Sequence, residues 1–119
     1  TAWYASAGHE PGLLTAGAEP PVLLEATGTL LGVSEDGEWE SVAVPAGPGA
    51  TLLVLTDGVT EAMDTEGVQF GRIRLGEVAA AIGGADPQRV VGAVDAAVRE
   101  HLAGRPAADD YTLVAVRLG

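Results

Sequence analysis

One short apolar run that ends abruptly in an acid constrains this chain more than any other stretch. It reads Thr51-Leu52-Leu53-Val54-Leu55-Thr56-Asp57-Gly58-Val59-Thr60-Glu61-Ala62. The run is entered from a Pro/Gly loop over residues 45–49, and it is Leu- and Val-rich, the pattern of a strand buried on both faces. A carboxylate at the mouth of such a strand is costly if left unpaired. Asp57 must therefore face water at the sheet edge or be held by a cation or a donor. Gly58 leaves room for another group to approach the backbone closely. A second acidic pair, Asp109-Asp110, stands just before the last apolar run, Tyr111 to Val116. If the two strands lie side by side and antiparallel, Asp57 and Asp109-Asp110 converge on one edge of the sheet.

The chain has 119 residues, which allows one domain at most, large enough to bury about two-thirds of its unfolded surface. Apolar residues make up 47% and aromatics only 4%, so the core must be built from Ala, Val and Leu. Seventeen acids against six bases give a formal charge of -11. That balance argues against a nucleic-acid backbone or an anionic membrane surface as partner, and it suits a protein that holds divalent cations. The absence of cysteine excludes disulfides, zinc-thiolate sites and a thiol nucleophile. No apolar run reaches the roughly 18 residues of a membrane span and no signal peptide opens the chain, so a cytoplasmic location is expected. The first residue is Thr1, inside an alternating segment, and the expectation is a piece of a longer polypeptide.

Along the chain, residues 1–8 alternate as a strand, a Gly-Pro turn follows, and Leu13-Leu14 begins a return strand, which predicts a hairpin. Val22 to Glu25 is a short strand that Pro21 can precede but could not join at a sheet centre. Asp36-Gly37 signals a tight turn before a strand over Trp39 to Val44. After Asp57 the pattern changes to helical spacing, with a short turn over Val59 to Met63. Leu75, Val78, Ala79 and Ile82 define a helix closed by Gly83-Gly84. The next helix is capped by Asp86, has Pro87 at its first position and ends before Gly104. Its apolar stripe is Val90, Val91, Val94, Val98 and Leu102. Strands, two helices and a final strand make an α+β fold, an antiparallel sheet with helices on one face.

The chemistry rests on few residues. Asp57 and Asp109 suit a hard divalent cation, Mg2+ or Mn2+, which prefers carboxylate oxygen and water. The plainer alternative is that Asp57 caps the helical turn while Asp109-Asp110 is loop polarity. His9, in its Gly-Pro turn, is a ligand, a general acid or a surface histidine. Glu61 orients a metal-bound water or simply stabilises a first helical turn, and His101 is structural. No Ser-His-Asp grouping and no phosphate-binding glycine loop is present.

Five ordered blocks resemble a known family: Tyr4 to Leu14 (YASAGHEPGLL), Leu30 to Val33 (LLGV), Leu53 to Ala62 (LVLTDGVTEA), Phe70-Gly71, and Asp109 to Arg117 (DDYTLVAVR). They are similar to the C-terminal half of the bacterial stage II sporulation protein E-like (RsbU-type) phosphatase domain, a branch of the PP2C, or PPM, superfamily. The resemblance implies a PP2C-like α-β-β-α sandwich with two or three Mg2+ or Mn2+ ions at one end, hydrolysing phosphoserine or phosphothreonine on proteins. By the same resemblance Asp57 and Asp109 match metal-binding aspartates, Asp110 stands where the wider superfamily often has Asn, and His9 and Gly58 lie near the site. The family's N-terminal half carries "GDxYD" and "GDxxGKG" blocks, the first of which supplies the aspartate bridging two metals, and neither is present here.

Residues 1–119 are thus expected to be a single partial domain, inactive alone, whose parent acts on a phosphorylated regulatory protein such as an anti-sigma-factor antagonist. Exposed sheet edges predict a homo-oligomer or association with the missing half. The competing expectations are a degenerate, non-catalytic phosphatase-like binding module, and an acidic α+β domain whose aspartates are only caps.

Overall fold

The structure, a computed structural model, describes residues 1–17 and 19–119. In chain order the elements are β1 (Ala2–Tyr4), β2 (Gly12–Thr15), β3 (Val22–Leu24), β4 (Val42–Val44), β5 (Thr51–Leu55), α1 (Asp57–Thr60), α2 (Gly71–Ala81), α3 (Pro87–Leu102) and β6 (Leu113–Arg117). Four strands form an antiparallel sheet in the order β3-β2-β5-β6, and β1 pairs with β4 in a separate two-stranded ribbon.

Strand alternation sorts the side chains into two cores. Leu13, Leu53 and Leu55 point to one face, where they meet Leu75 and Ala79 of α2 and Val90, Val94, Val98 and Leu102 of α3. Leu14, Leu24 and Leu52 point to the other face and meet Ala2, Tyr4, Val42 and Val44 of the ribbon. The result is three layers: helices, sheet, ribbon. β3 is an edge strand, as Pro21 before it requires.

Helix α3 forms where the punctuation places it. The Asp86 carboxylate accepts from the Arg89 amide at 3.0 Å, Pro87 opens the first turn, and Ala103 leaves the helix in the left-handed region at φ 53°. The buried residues Val90, Val94, Val98 and Leu102 recur at four-residue spacing, one stripe laid on the sheet.

Several sequence expectations change, among them the strand over residues 1–8, which shortens to Ala2–Tyr4, and the helical turn over Val59 to Met63, which forms instead at Asp57–Thr60. The hairpin between residues 1–8 and Leu13-Leu14 does not form, because β1 pairs with β4 while β2 pairs with β3 and β5. Ser6 turns the chain away: its amide donates to Thr27 Oγ1 and its carbonyl accepts from the Thr27 amide, each at 2.9 Å. The strand expected over Trp39 to Val44 shortens to Val42–Val44, since the Trp39 indole folds back to donate to the Thr29 carbonyl at 2.8 Å. β5 is not buried on both faces throughout. Thr51, Leu53 and Leu55 are buried, but Val54 is 36% exposed because the ribbon stops short of it. Val114 and Val116 on β6 are 47% and 43% exposed on the same uncovered side. No helix among the described residues is long and apolar enough to cross a membrane.

Leu53 has no exposed surface and sits between β2 and β6 under the helices. Leu53→Ala should destabilise the fold by about 2–5 kcal/mol, the range for a fully buried leucine. Urea unfolding of the variant against the parent measures it; a loss below about 1 kcal/mol would contradict this account of the core.

Candidate metal centre

β5 and β6 run antiparallel in the register Thr51↔Arg117 to Leu55↔Leu113. The pairing continues past the strands, with the Thr56 amide donating to the Thr112 carbonyl at 3.1 Å and the Thr112 amide donating to Thr56 Oγ1 at 2.9 Å. The end of one strand thereby meets the beginning of the other, the outcome expected if the two strands were antiparallel neighbours. Gly58 makes the closest approach. A Cβ on it would stand 2.5 Å from the Asp110 carbonyl oxygen and 3.1 Å from Tyr111 Cβ, so only glycine lets the two segments touch.

Asp57 is the first residue of α1, and Thr56 occupies the N-cap position without a capping side-chain bond. The cap reading of Asp57 is therefore not what the chain adopts. Its carboxylate is exposed and accepts no hydrogen bond among the described residues. Asp109 is exposed too, with Oδ1 taking the Asp110 amide at 2.9 Å. Asp110 gives its carbonyl to the Gly58 contact and keeps its side chain in solvent. The backbone segments converge, yet the two carboxylates open onto different clefts. Asp57 lines one with Gly8, His9 and Thr56; Asp109 lines another with Gly58, Glu61 and Arg105.

As donors, these oxygens fit a hard divalent cation: both aspartates are solvent-accessible carboxylates, Asp57 just past the end of β5 and Asp109 in the bend before β6. As a set they are incomplete. Among the described residues no group of three or more His, Asp or Glu side chains stands close enough to hold a metal ion. His9 donates from Nδ1 to the Glu10 carbonyl at 2.8 Å, which leaves the Nε2 lone pair free in the neutral ring. His101 is structural: Nε2 donates to the Val68 carbonyl at 2.8 Å, and the ring packs edge-on to Phe70.

Three supports surround the site, and the first of them, at Glu10, carried no sequence signal. Glu10 accepts from Thr60 Oγ1 at 3.1 Å and from Arg72 Nε at 3.1 Å, joining the His9 turn to α1 and α2. The hydrogen bond to Glu10 holds the Arg72 guanidinium above its ordinary pKa. The partners are 50 and 62 residues from Glu10, beyond any local spacing rule. Tyr111, directly after the acidic pair, donates its phenol to Asp95 at 2.6 Å, and Arg99 pairs with the same carboxylate at 3.0 Å. Burial first, and then the bond to Asp95, raises the Tyr111 pKa. Finally, Asp64 Oδ1 takes the amides of Glu66 and Val68, the latter chiefly holding its carboxyl below the usual range, and so shapes the loop that rims the Asp109 cleft.

This layered fold, with acidic strand ends meeting at one edge, is that of PP2C phosphatase domains. It superposes on the SiaA-PP2C domain of Pseudomonas aeruginosa with a TM-score of 0.77 at 25% identity, covering 95% of this chain and 45% of that one. The manganese-presoaked phosphatase domain of the cell fate determinant SpoIIE from Bacillus subtilis shares the fold, with a TM-score of 0.69 at 20% identity over 93% of this chain and 47% of that one. The stage II sporulation protein E (SpoIIE) family matches residues 1–119, and the chain belongs to that family. Protein IcfG of Synechocystis sp. is 30% identical over 113 residues, which are 95% of this chain and 18% of IcfG. The chain thus spans less than half of each of these relatives.

The raised Tyr111 pKa carries a sign. The neutral phenol makes the bond, so its contribution is fully present below the ordinary tyrosine pKa of about 10 and is lost as pH rises through the higher folded value. Tyr111→Phe should remove this alkaline loss and cost about 1 kcal/mol near neutrality. Ultraviolet titration combined with unfolding at pH 7 to 12 reads both; equal alkaline sensitivity in parent and variant would show that the bond contributes nothing.

Proposed function

We propose that this chain is the C-terminal part of a metal-dependent protein serine/threonine phosphatase. The observation that carries the proposal is the meeting of the β5 and β6 ends, where a SpoIIE-family chain presents the exposed carboxylates of Asp57 and Asp109. Both would hold Mg2+ or Mn2+, the remaining ligands coming from an N-terminal half that this chain does not contain. A divalent cation there lowers the pKa of water and offsets charge on the phosphoryl group. In the reaction, water adds to phosphorus, the bond to the serine or threonine oxygen breaks, and that oxygen leaves with a proton. The backbone on either side is held in place, next to Asp57 by the Thr56–Thr112 exchange and after Asp109 by the Tyr111 anchor, so the two segments that carry the carboxylates are positioned before a cation arrives.

The substrate proposed is a phosphorylated regulatory protein, such as an anti-sigma-factor antagonist, in the cytoplasm; this rests on family likeness. With part of its ligand set missing, the chain alone is inactive. The uncovered apolar side of β5 and β6, and the open β6 edge, support association with the remainder of the domain or with a second copy. Size-exclusion chromatography with light scattering on this chain should give an oligomer; a clean monomer would contradict it.

In the complete domain, Asp57→Asn and Asp109→Asn should each lower turnover of p-nitrophenyl phosphate and of a phosphoserine peptide about 100-fold or more, and weaken Mn2+ binding measured by calorimetry. Full activity in either variant would refute its role as a ligand. If the parent domain itself neither binds Mn2+ nor turns over substrate, the non-catalytic binding module is the correct reading.

A further inference from the structure

The chain carries a formal charge of -11 and only six basic residues, all arginine. Two are committed to carboxylates: Arg72 to Glu10 and Arg99 to Asp95. Arg105 makes no ion pair among the described residues, and it lines the cleft of about 550 Å3 that also holds Gly58, Glu61 and Asp109. Its position is set by main chain. Nη2 donates to the Met63 carbonyl at 2.9 Å and Nε to the Leu102 carbonyl at 3.4 Å. The second acceptor lies at the C-terminal end of α3, where the helix dipole favours a cation.

A guanidinium has five N–H donors, and two are used here, leaving three for a ligand. The groups facing it are acidic. Glu61 and Asp109 line the same cleft, and Asp64 lies near enough to feel the Arg105 charge, though its Oδ1 is taken by two amides. A phosphate monoester dianion entering beside these acids is repelled, and a fixed cation on the cleft wall offsets that repulsion. The planar fork of an arginine also matches two phosphate oxygens at once, which an ammonium cannot do.

We infer that Arg105 is a substrate-binding residue that receives the phosphoryl group of a phosphate monoester in the Asp109 cleft. The inference rests on the phosphatase reading and deepens it. The competing role is purely structural, a strap between the end of α3 and the loop at Met63.

The test uses the complete domain containing this chain, with R105M, which keeps the aliphatic stem, and R105K, which keeps the charge. Inorganic phosphate is titrated by calorimetry in the presence of Mn2+, and kcat/KM is measured for p-nitrophenyl phosphate and a phosphoserine peptide. In R105M, phosphate affinity and kcat/KM for both substrates should fall about 10- to 100-fold with Mn2+ affinity unchanged, while the unfolding midpoint drops only by the small loss of the bonds to the Met63 and Leu102 carbonyls. R105K should recover only part of the loss, because the fork is gone. Unchanged phosphate affinity overturns the inference, whether or not stability falls, and so does a loss confined to the peptide, which would place Arg105 against the polypeptide instead. Failure of the phosphatase reading looks different: the unmutated domain turns over neither substrate, while the phosphate titration still reports on Arg105.

Discussion

The antiparallel pairing of β5 with β6, closed by Gly58 against the Asp110 carbonyl, is the constraint on which the rest depends. Side chains alternate along a strand, so a slip of one residue would turn Leu53 and Leu55 away from the helices and move the acids out of step. The register that buries Leu53, Leu55, Leu113 and Ala115 on one face is also the register that brings Asp57 to the Asp109-Asp110 turn. Core formation and site placement are therefore one requirement. The apolar energy that fixes the strands is also what holds the two acidic segments beside one another.

Helix α3 is the bracket behind the site. Its buried stripe fastens it to the sheet, and Asp95, Arg99 and His101 on or beside that stripe reach the neighbouring loops. Asp95 holds Tyr111 and with it the segment after Asp109; His101 holds the carbonyl of Val68; Arg105, just past the helix end, holds that of Met63. Both rims of the Asp109 cleft thus hang from one well-capped helix. On the opposite side, Glu10 bonded to Thr60 and Arg72 keeps the His9 turn against α1 and α2. The clefts flanking α1 are shaped by polar ties between distant segments laid over an apolar frame.

Much of this was legible in the residues. The short apolar strand, the glycine after its terminal acid, the capped helix and the mirrored acidic pair each write a local rule into adjacent positions, and the elements form where those rules place them. The pairing of β1 was not legible. Residues 1–8 alternate correctly for a strand, but alternation says nothing about partners, and the nearest strand in sequence lost to β4 once Ser6 bonded to Thr27. Nor was the half-open state of β5, since a run of leucine and valine looks the same whether one face or two is covered. The Glu10–Arg72 pair was equally hidden, because an acid and a base 62 residues apart have no common pattern.

What the chain's own order of residues determined is the set of elements, the polarity of each face and the chemical kind of the site: two carboxylates at strand ends, with no thiol and no lysine to compete. What only the tertiary structure decided is which ends meet, which clefts the carboxylates open onto, and which arginine is left unpaired beside Asp109. The division has a physical cause. Periodicity, capping and turn chemistry act over a few neighbouring residues, whereas strand partnership and ion pairing are contests among all segments of the chain, won by whichever arrangement buries the most apolar surface without stranding a charge.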